Sequence, residues 1–180
     1  ESAAMIPPQT RREALTEVRA QLDTVSGSIL NIRVGGNDLS HAFGLRRPAN
    51  RTIYDLRPVA DILIDIVAAF GTQYVVSGPV WEYYSGEGWE EGLRREMELD
   101  LLNGFTGKTV IHPNQIPVVN EMLRVSQRDY ADARAILNWD TGSGSLVSAS
   151  EDGGRMNEYN THSRWARRIV LRAERYGVRA

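Results

Sequence analysis

The stretch Ser28-Ile29-Leu30-Asn31-Ile32-Arg33-Val34-Gly35-Gly36-Asn37-Asp38-Leu39-Ser40 decides how this chain folds. Ser28 to Val34 reads as a strand that stops at two glycines, and a carboxylate follows almost at once. Upstream, Leu15, Val18 and Leu22 repeat at helical spacing behind Thr10 and Glu13, which fit a capping box, so 10–24 reads as an amphipathic helix. Downstream, Asp55 stands as a cap before the stripe Leu56, Val59, Leu63, Ile66 and Phe70, with Pro58 in the first turn and Gly71 at the end. Gln73 to Val80 reads as the next strand and Trp81 to Trp89 as a Gly- and aromatic-rich loop. A helix on Leu93, Met97 and Leu101 then ends at Asn103-Gly104, and Lys108 to Ile111 is a short apolar strand. Asn114 opens another helix, and Ser126 with Asp129 caps one that runs to about Trp139. Regular alternation of helix and strand predicts an α/β fold with parallel strands. Residues 141–158 turn polar and Gly/Ser-rich and read as a mobile loop, either a lid or a plain linker. A last helix, 161–176, carries Trp165, Ile169, Ala173 and Tyr176 as one stripe, and its arginines read as a solvated face.

Composition narrows the function classes. The chain has 180 residues, 42% hydrophobic and 24% charged, enough for one domain with a sizeable core. A net charge of −2 gives no overall field for nucleic acid or an anionic membrane. Cysteine is absent, which excludes disulfides, zinc–thiolate sites, iron–sulfur clusters and cysteine nucleophiles in this sequence. Apolar runs are far short of a membrane span, and no secretory signal opens the sequence. The expectation is a soluble cytoplasmic protein that binds neither nucleic acid nor membrane. Lys108 is the one lysine among 21 basic residues.

In parallel α/β folds ligands bind at the carboxyl ends of the strands, and that rule sorts the candidates. After the first strand come Gly35, Gly36, Asn37 and Asp38; Asp38 is a rim carboxylate or an ordinary helix cap. After the second come Pro79, Trp81 and Glu82, and after the third comes His112, held by Pro113. Lys108 falls at the opposite end of its strand, which argues against a Schiff-base role. No P-loop, dinucleotide fingerprint, Ser/His/Asp set or zinc-protease motif occurs, and the three histidines are not at metal-ligand spacing.

The segment from Gly104 to Ile116 (G-F-T-G-K-T-V-I-H-P-N-Q-I), followed by Val119-Asn120, closely resembles a stretch of the citrate lyase beta-subunit family within the HpcH/HpaI aldolase superfamily. Gly35-Gly36-Asn37-Asp38-Leu39-Ser40 with Phe43-Gly44 resembles a second motif, and Glu1-Ser2-Ala3 is similar to the E-T-A that ends a barrel strand. N-I-R-V-G-G-N-D-L-S (31–40), G-P-V-W-E (78–82), G-L-R-R-E-M-E-L-D (92–100) and T-H-S-R-W-A (161–166) bring it closest to the C–C bond lyase TIM-barrel proteins associated with tellurite-resistance gene clusters.

That resemblance implies the C-terminal part of a (β/α)8 barrel over 1–126, from the end of the fifth strand to the eighth, with a C-terminal helical extension over 127–180. The N-terminal half of the barrel is expected from an upstream segment or, alternatively, from another chain, in a homo-oligomer. It implies a carbon–carbon lyase or aldolase that stabilises an enolate of a 2-oxo acid or acyl-CoA-type substrate with Mg²⁺, or Mn²⁺ in its place. The metal ligands would be Glu1 and Asp38. Arg33, Gly35, Gly36, Asn37, Glu82 and His112 would line the substrate site, with no catalytic acid or base assigned. Two points depart from the pattern. Ser77-Gly78 stands where thioester-cleaving members carry Asp, which questions a coenzyme A substrate. Arg33 is unusual inside a barrel strand, and it either binds an anionic substrate or pairs with a carboxylate. The alternative function is a catalytically diverged barrel serving as a subunit or scaffold in a stress-response assembly.

Overall fold

Three short strands, Ile32–Arg33 (β1), Val76–Gly78 (β2) and Gly107–Lys108 (β3), pair in parallel in the order β1-β2-β3. They belong to a computed structural model that describes residues 2–139 and 147–179. The chain divides into two units, Glu1–Met122 and Leu123–Ala180. In the first, helices Pro8–Asp23 (α1), Gly36–Ala42 (α2), Arg57–Phe70 (α3), Trp89–Leu102 (α4) and Gln115–Met122 (α5) alternate with the strands. This is the α/β alternation that the sequence predicts.

Details differ where local chemistry overrides the pattern. Helix α1 begins at Pro8 rather than Thr10, because proline suits a first helical position. Thr10 caps nothing; its hydroxyl donates to Ala4 O at 2.7 Å. Asp55 does not cap α3 directly. It closes a capping box with Thr52 around the short 3-10 turn Ile53–Asp55, accepting the Thr52 N–H at 2.7 Å and hydroxyl at 3.0 Å. The strands are two or three residues long, and residues 26–28 form a 3-10 turn rather than the start of β1.

Register fixes the two faces of the sheet. Ile32 pairs with Val76, Arg33 with Ser77, Ser77 with Gly107 and Gly78 with Lys108. Side chains alternate along a strand, so Val34, Val76, Gly78 and Lys108 share one face while Arg33, Ser77 and Gly107 share the other. Val34 and Val76 join Leu15 of α1 and Ile62, Leu63, Ile66 and Phe70 of α3 in one buried cluster. Each such side chain contributes roughly 2 kcal/mol by leaving water. Gly78 lies under α4, where a Cβ would come within 2.5 Å of Asp100 Oδ2. Glycine is required there for the helix to approach the strand.

The second unit pairs Val125–Ser126 (β4) with Val178–Arg179 (β7) and packs Gln127–Leu137 (α6) against Tyr159–Tyr176 (α7). Ala133, Ile136, Ala166, Ile169 and Ala173 form its core with Val125. Ser126 caps α6, accepting the Asp129 N–H at 3.1 Å as the sequence predicts. The reading of 141–158 as a mobile loop needs correction over its second part. Val147–Ala149 (β5) and Met156–Glu158 (β6) form an antiparallel hairpin. Arg155 clamps it to α6, donating to Asp132 Oδ2 at 2.5 Å and Asp129 Oδ1 at 2.8 Å. The rest of that stretch, 141–146, lies outside the described residues. Among the described residues no helix is long and apolar enough to cross a membrane.

Candidate functional site

At the carboxyl end of β1 the chain turns directly into α2. Gly35 occupies the cap position, and no side chain caps the helix. Gly36 donates its N–H to Val34 O at 3.1 Å. A Cβ on Gly36 would approach Ile53 Cδ1 and Pro79 Cβ to 2.6 Å, so the second glycine is demanded by packing. The capping alternative for Asp38 is thereby settled. Asp38 is the third residue of the helix, and its carboxylate is exposed at the rim beside exposed Asn37.

Glu82 lies beyond the end of β2 and accepts from Arg46 Nε at 3.1 Å. Asn37, Ser40, His41, Arg46, Arg47 and Glu82 line a cleft of about 450 Å³. The structure therefore brings Asn37 and Glu82 into one concavity, with Asp38 next to Asn37 in α2 but outside the lining. His112, after β3, stands apart from that cleft. It stacks on Tyr84 with ring centroids 4.2 Å apart, and its Nδ1 accepts the Asn114 N–H at 3.2 Å. That bond leaves the ring proton for Nε2 when the imidazole is neutral. Arg33 is exposed on the sheet face opposite α4, short of the rim. Glu1 lies outside the described residues.

Two residues that carry much of this edge have no prior assignment. Gln115, inside the I-H-P-N-Q motif, is fully buried. It donates to Trp81 O and Tyr83 O, both at 2.8 Å, and accepts the Ile111 N–H at 3.0 Å, tying the loop after β2 to the end of β3. Arg47 is 1% exposed. Its guanidinium lies 5.1 Å from the Trp81 ring, donates to Val80 O at 2.6 Å and reaches Asn37 Oδ1 at 3.3 Å. The Gln115 motif is visible in sequence; the burial of Arg47 behind Arg46 is not.

Arg47 also opens a buried charge cluster between sheet and helix. Glu96 of α4 accepts from Arg47 Nη2 at 3.1 Å, Lys108 Nζ at 2.8 Å and the Ile53 N–H at 2.7 Å. Lys108 also donates to Asp100 Oδ2 at 2.7 Å, and the Tyr54 hydroxyl donates to Asp100 Oδ1 at 2.7 Å. Two cations face two anions out of water, the arrangement in which buried charge is tolerated. Burial pushes the Asp100 carboxyl up, against the Lys108 ammonium, which holds it down. Burial first and Asp100 second push the Tyr54 phenol up. The Lys108 side chain is fully buried and paired twice, so it presents no amine to a substrate carbonyl.

The family model for C–C bond lyases of the TIM-barrel fold matches residues 1–178. The chain belongs to that family. Relatives place the C–C bond lyase chain within a wider group. It is 38% identical over 74 residues to the L-malyl-CoA/beta-methylmalyl-CoA lyase of Cereibacter sphaeroides, an alignment covering 40% of this chain and 22% of that enzyme. Its structure is similar to protein CitE of Mycobacterium tuberculosis, solved in complex with magnesium, acetoacetate and coenzyme A. The TM-score is 0.59 at 26% identity, over 81% of this chain and 52% of that one. The matched region thus spans about half of that solved protein. The citrate lyase beta-like reading and the α/β barrel fold agree with these relatives.

For a divalent cation the donor chemistry at the edge is suitable but incomplete. Mg²⁺ takes one or two carboxylates, retains waters and shares substrate oxygens, and Asp38 offers one exposed carboxylate. Among the described residues no group of three or more His, Asp and Glu side chains is gathered to hold a metal.

Proposed function

We propose that this chain is the catalytic-edge portion of a Mg²⁺-dependent carbon–carbon bond lyase acting on a 2-oxo acid or an acyl-CoA-type substrate. One observation carries the reading. Asp38 stands exposed at the carboxyl edge of a parallel sheet, beside a polar cleft, in a chain of the C–C bond lyase family. Asp38 and Glu1 would hold the ion. When bound, Mg²⁺ supplies a Lewis acid for the substrate oxygens.

The chain's own residues then orient the substrate. In the cleavage direction the electron pair of the broken C–C bond becomes the enolate of the departing fragment, the hydroxyl of the other fragment gives up its proton to become a carbonyl, and one proton returned to the enolate carbon completes the departing fragment. Gly35, Gly36 and Asn37 would face the substrate's carboxylate end with Glu82 in the cleft beside it, and His112, apart from that cleft, would meet a more distant part of the substrate. Arg47, bonded to Asn37 Oδ1 and Val80 O, would hold the walls of that cleft in place. A cytoplasmic homo-oligomer whose barrel is completed by its N-terminal half is the arrangement this reading expects.

The test is a Mn²⁺ titration, followed by paramagnetic resonance, on the protein at its full natural length and on Asp38→Asn. One site in the parent, weakened at least tenfold in the variant, supports the lyase. Equal affinity in both proteins, or no site in either, refutes it and favours a barrel that has diverged into a subunit or scaffold.

A further inference from the structure

Arg33 is the charge that the buried cluster leaves unexplained. Arg47, Lys108, Glu96 and Asp100 balance one another on the helix-facing side of the sheet. Register places Arg33 in the alternate layer, with Ser77 beside it and Gly107 beyond. Among the described residues no carboxylate occupies that layer, and Arg33 forms no salt bridge. A Cβ on Gly107 would meet a single neighbour within 4 Å, Ser77 Oγ at 3.4 Å. Glycine there serves no packing need within this chain, unlike Gly78 one strand away. Strands of parallel sheets are ordinarily apolar on both faces, and the inner layers of such barrels are ordinarily bulky and branched. A guanidinium, a hydroxyl and a bare backbone make a polar recess instead, about 7 Å of extended chain below the Gly35 rim.

We propose that Arg33, with Ser77 Oγ beside it and the open floor at Gly107, binds a second anionic group of the substrate, a carboxylate or a phosphoryl group. This site is separate from the 2-oxo acid end held at the Asp38 rim. The guanidinium fork matches either anion through paired N–H donors, and the absent Cβ at Gly107 makes room for it. The inference rests on the lyase reading for the first anchoring point and extends it to a substrate that is anionic at both ends.

The experiment is calorimetric titration, with Mn²⁺ present, of the full-length protein and its Arg33→Met and Arg33→Lys variants. Three probes are used: pyruvate, 2-oxoglutarate and phosphonopyruvate. The expected result is at least tenfold tighter binding of one doubly anionic probe than of pyruvate. The preferred probe tells carboxylate from phosphoryl recognition. Arg33→Met should abolish that preference while leaving pyruvate affinity within twofold, and Arg33→Lys should retain part of it. Pyruvate binding with no preference, or a preference that survives in Arg33→Met, overturns the Arg33 inference and leaves the lyase reading intact. Failure of every probe to bind overturns both. If Arg33 instead pairs with a carboxylate of the protein, Arg33→Met lowers the ligand-free melting temperature and weakens all three probes alike. That outcome also overturns the inference.

Discussion

Replacing Lys108 with Met removes one of two cations from a cluster whose four side chains are at most 1% exposed. Glu96 keeps Arg47 and the Ile53 N–H, but Asp100 retains only the Tyr54 hydroxyl. Breaking a buried pair on one side typically costs about 3–5 kcal/mol. At about 2–4 °C per kcal/mol for a chain of this size, the melting temperature should fall by roughly 10 °C. The pH dependence has a definite sign. Burial already raises Asp100 and Lys108 opposes it, so loss of the cation raises Asp100 further. The folded variant then holds a proton that an unfolded carboxyl, with its ordinary value near 3.9, has already released. Stability of the variant therefore falls as pH rises through the raised folded value. Calorimetric melting at pH 5 and pH 8 should show the smaller penalty at pH 5, and Lys108→Met/Asp100→Asn should recover most of the loss. A penalty under about 1 kcal/mol would refute the account, since the 3–5 kcal/mol scale for a broken buried pair is its basis. So would equal penalties at the two pH values, or a double variant worse than the single one.

Two other substitutions test the edge and its caps. Gln115→Ala orphans Trp81 O, Tyr83 O and the Ile111 N–H at once; at roughly 1–3 kcal/mol per unsatisfied buried group, partly relieved by water, a loss of about 3 kcal/mol should appear in urea titrations. Asp55→Asn should cost about 0.5–1 kcal/mol at pH 7 through the weakened capping box. The Thr52 N–H, and after it the Thr52 hydroxyl, hold the Asp55 carboxyl low. That stability is present above the ordinary carboxyl value and lost as pH falls through the lower folded one, so the parent's advantage over the variant should shrink as pH is lowered below the ordinary carboxyl value.

The alternation of helix and strand was legible because the apolar stripes are strong. Val59, Leu63, Ile66 and Phe70 recur at helical spacing, and all are buried. The helix starts were less legible, since Thr10 and Asp55 each had the chemistry of a cap, yet α1 begins at Pro8 and α3 follows Leu56 with no side-chain cap, Thr52 and Asp55 closing only the 3-10 turn before it. The helix α4 shows why pattern alone stops short. Leu93 and Met97 are buried as their spacing predicts, yet so are Glu96 and Asp100. A rule that sends carboxylates to the surface misplaces both, because their cations lie 49 and 12 residues away for Glu96 and 8 residues away for Asp100. The hairpin over 147–158 was hidden for the same reason. Its clamp is Arg155 on Asp129 and Asp132, a tertiary pairing with no local signature.

For the candidate site, the rim rule pointed to Asn37, Asp38, Glu82 and His112; Asn37 and Glu82 line one cleft, while Asp38 follows Asn37 in α2 outside that lining and His112 stands apart. What the rule lacks is a way to tell structural charge from functional charge, and the sheet supplies one. Charges on its helix side, Lys108 and Arg47 with Glu96 and Asp100, are buried, mutually neutralised and hydrogen-bonded to one another. Such a set is expensive to ionise alone and stable together, so each member answers to the others. Arg33, on the far face, has a hydroxyl and a glycine for neighbours in its layer. A cation paired within the fold gains nothing from an added anion, whereas an exposed cation beside an open floor gains charge-assisted hydrogen bonds from one. On that physical ground the one lysine of the chain belongs to the scaffold. The arginine one strand-layer away is the group to pursue as a determinant of what the proposed site holds.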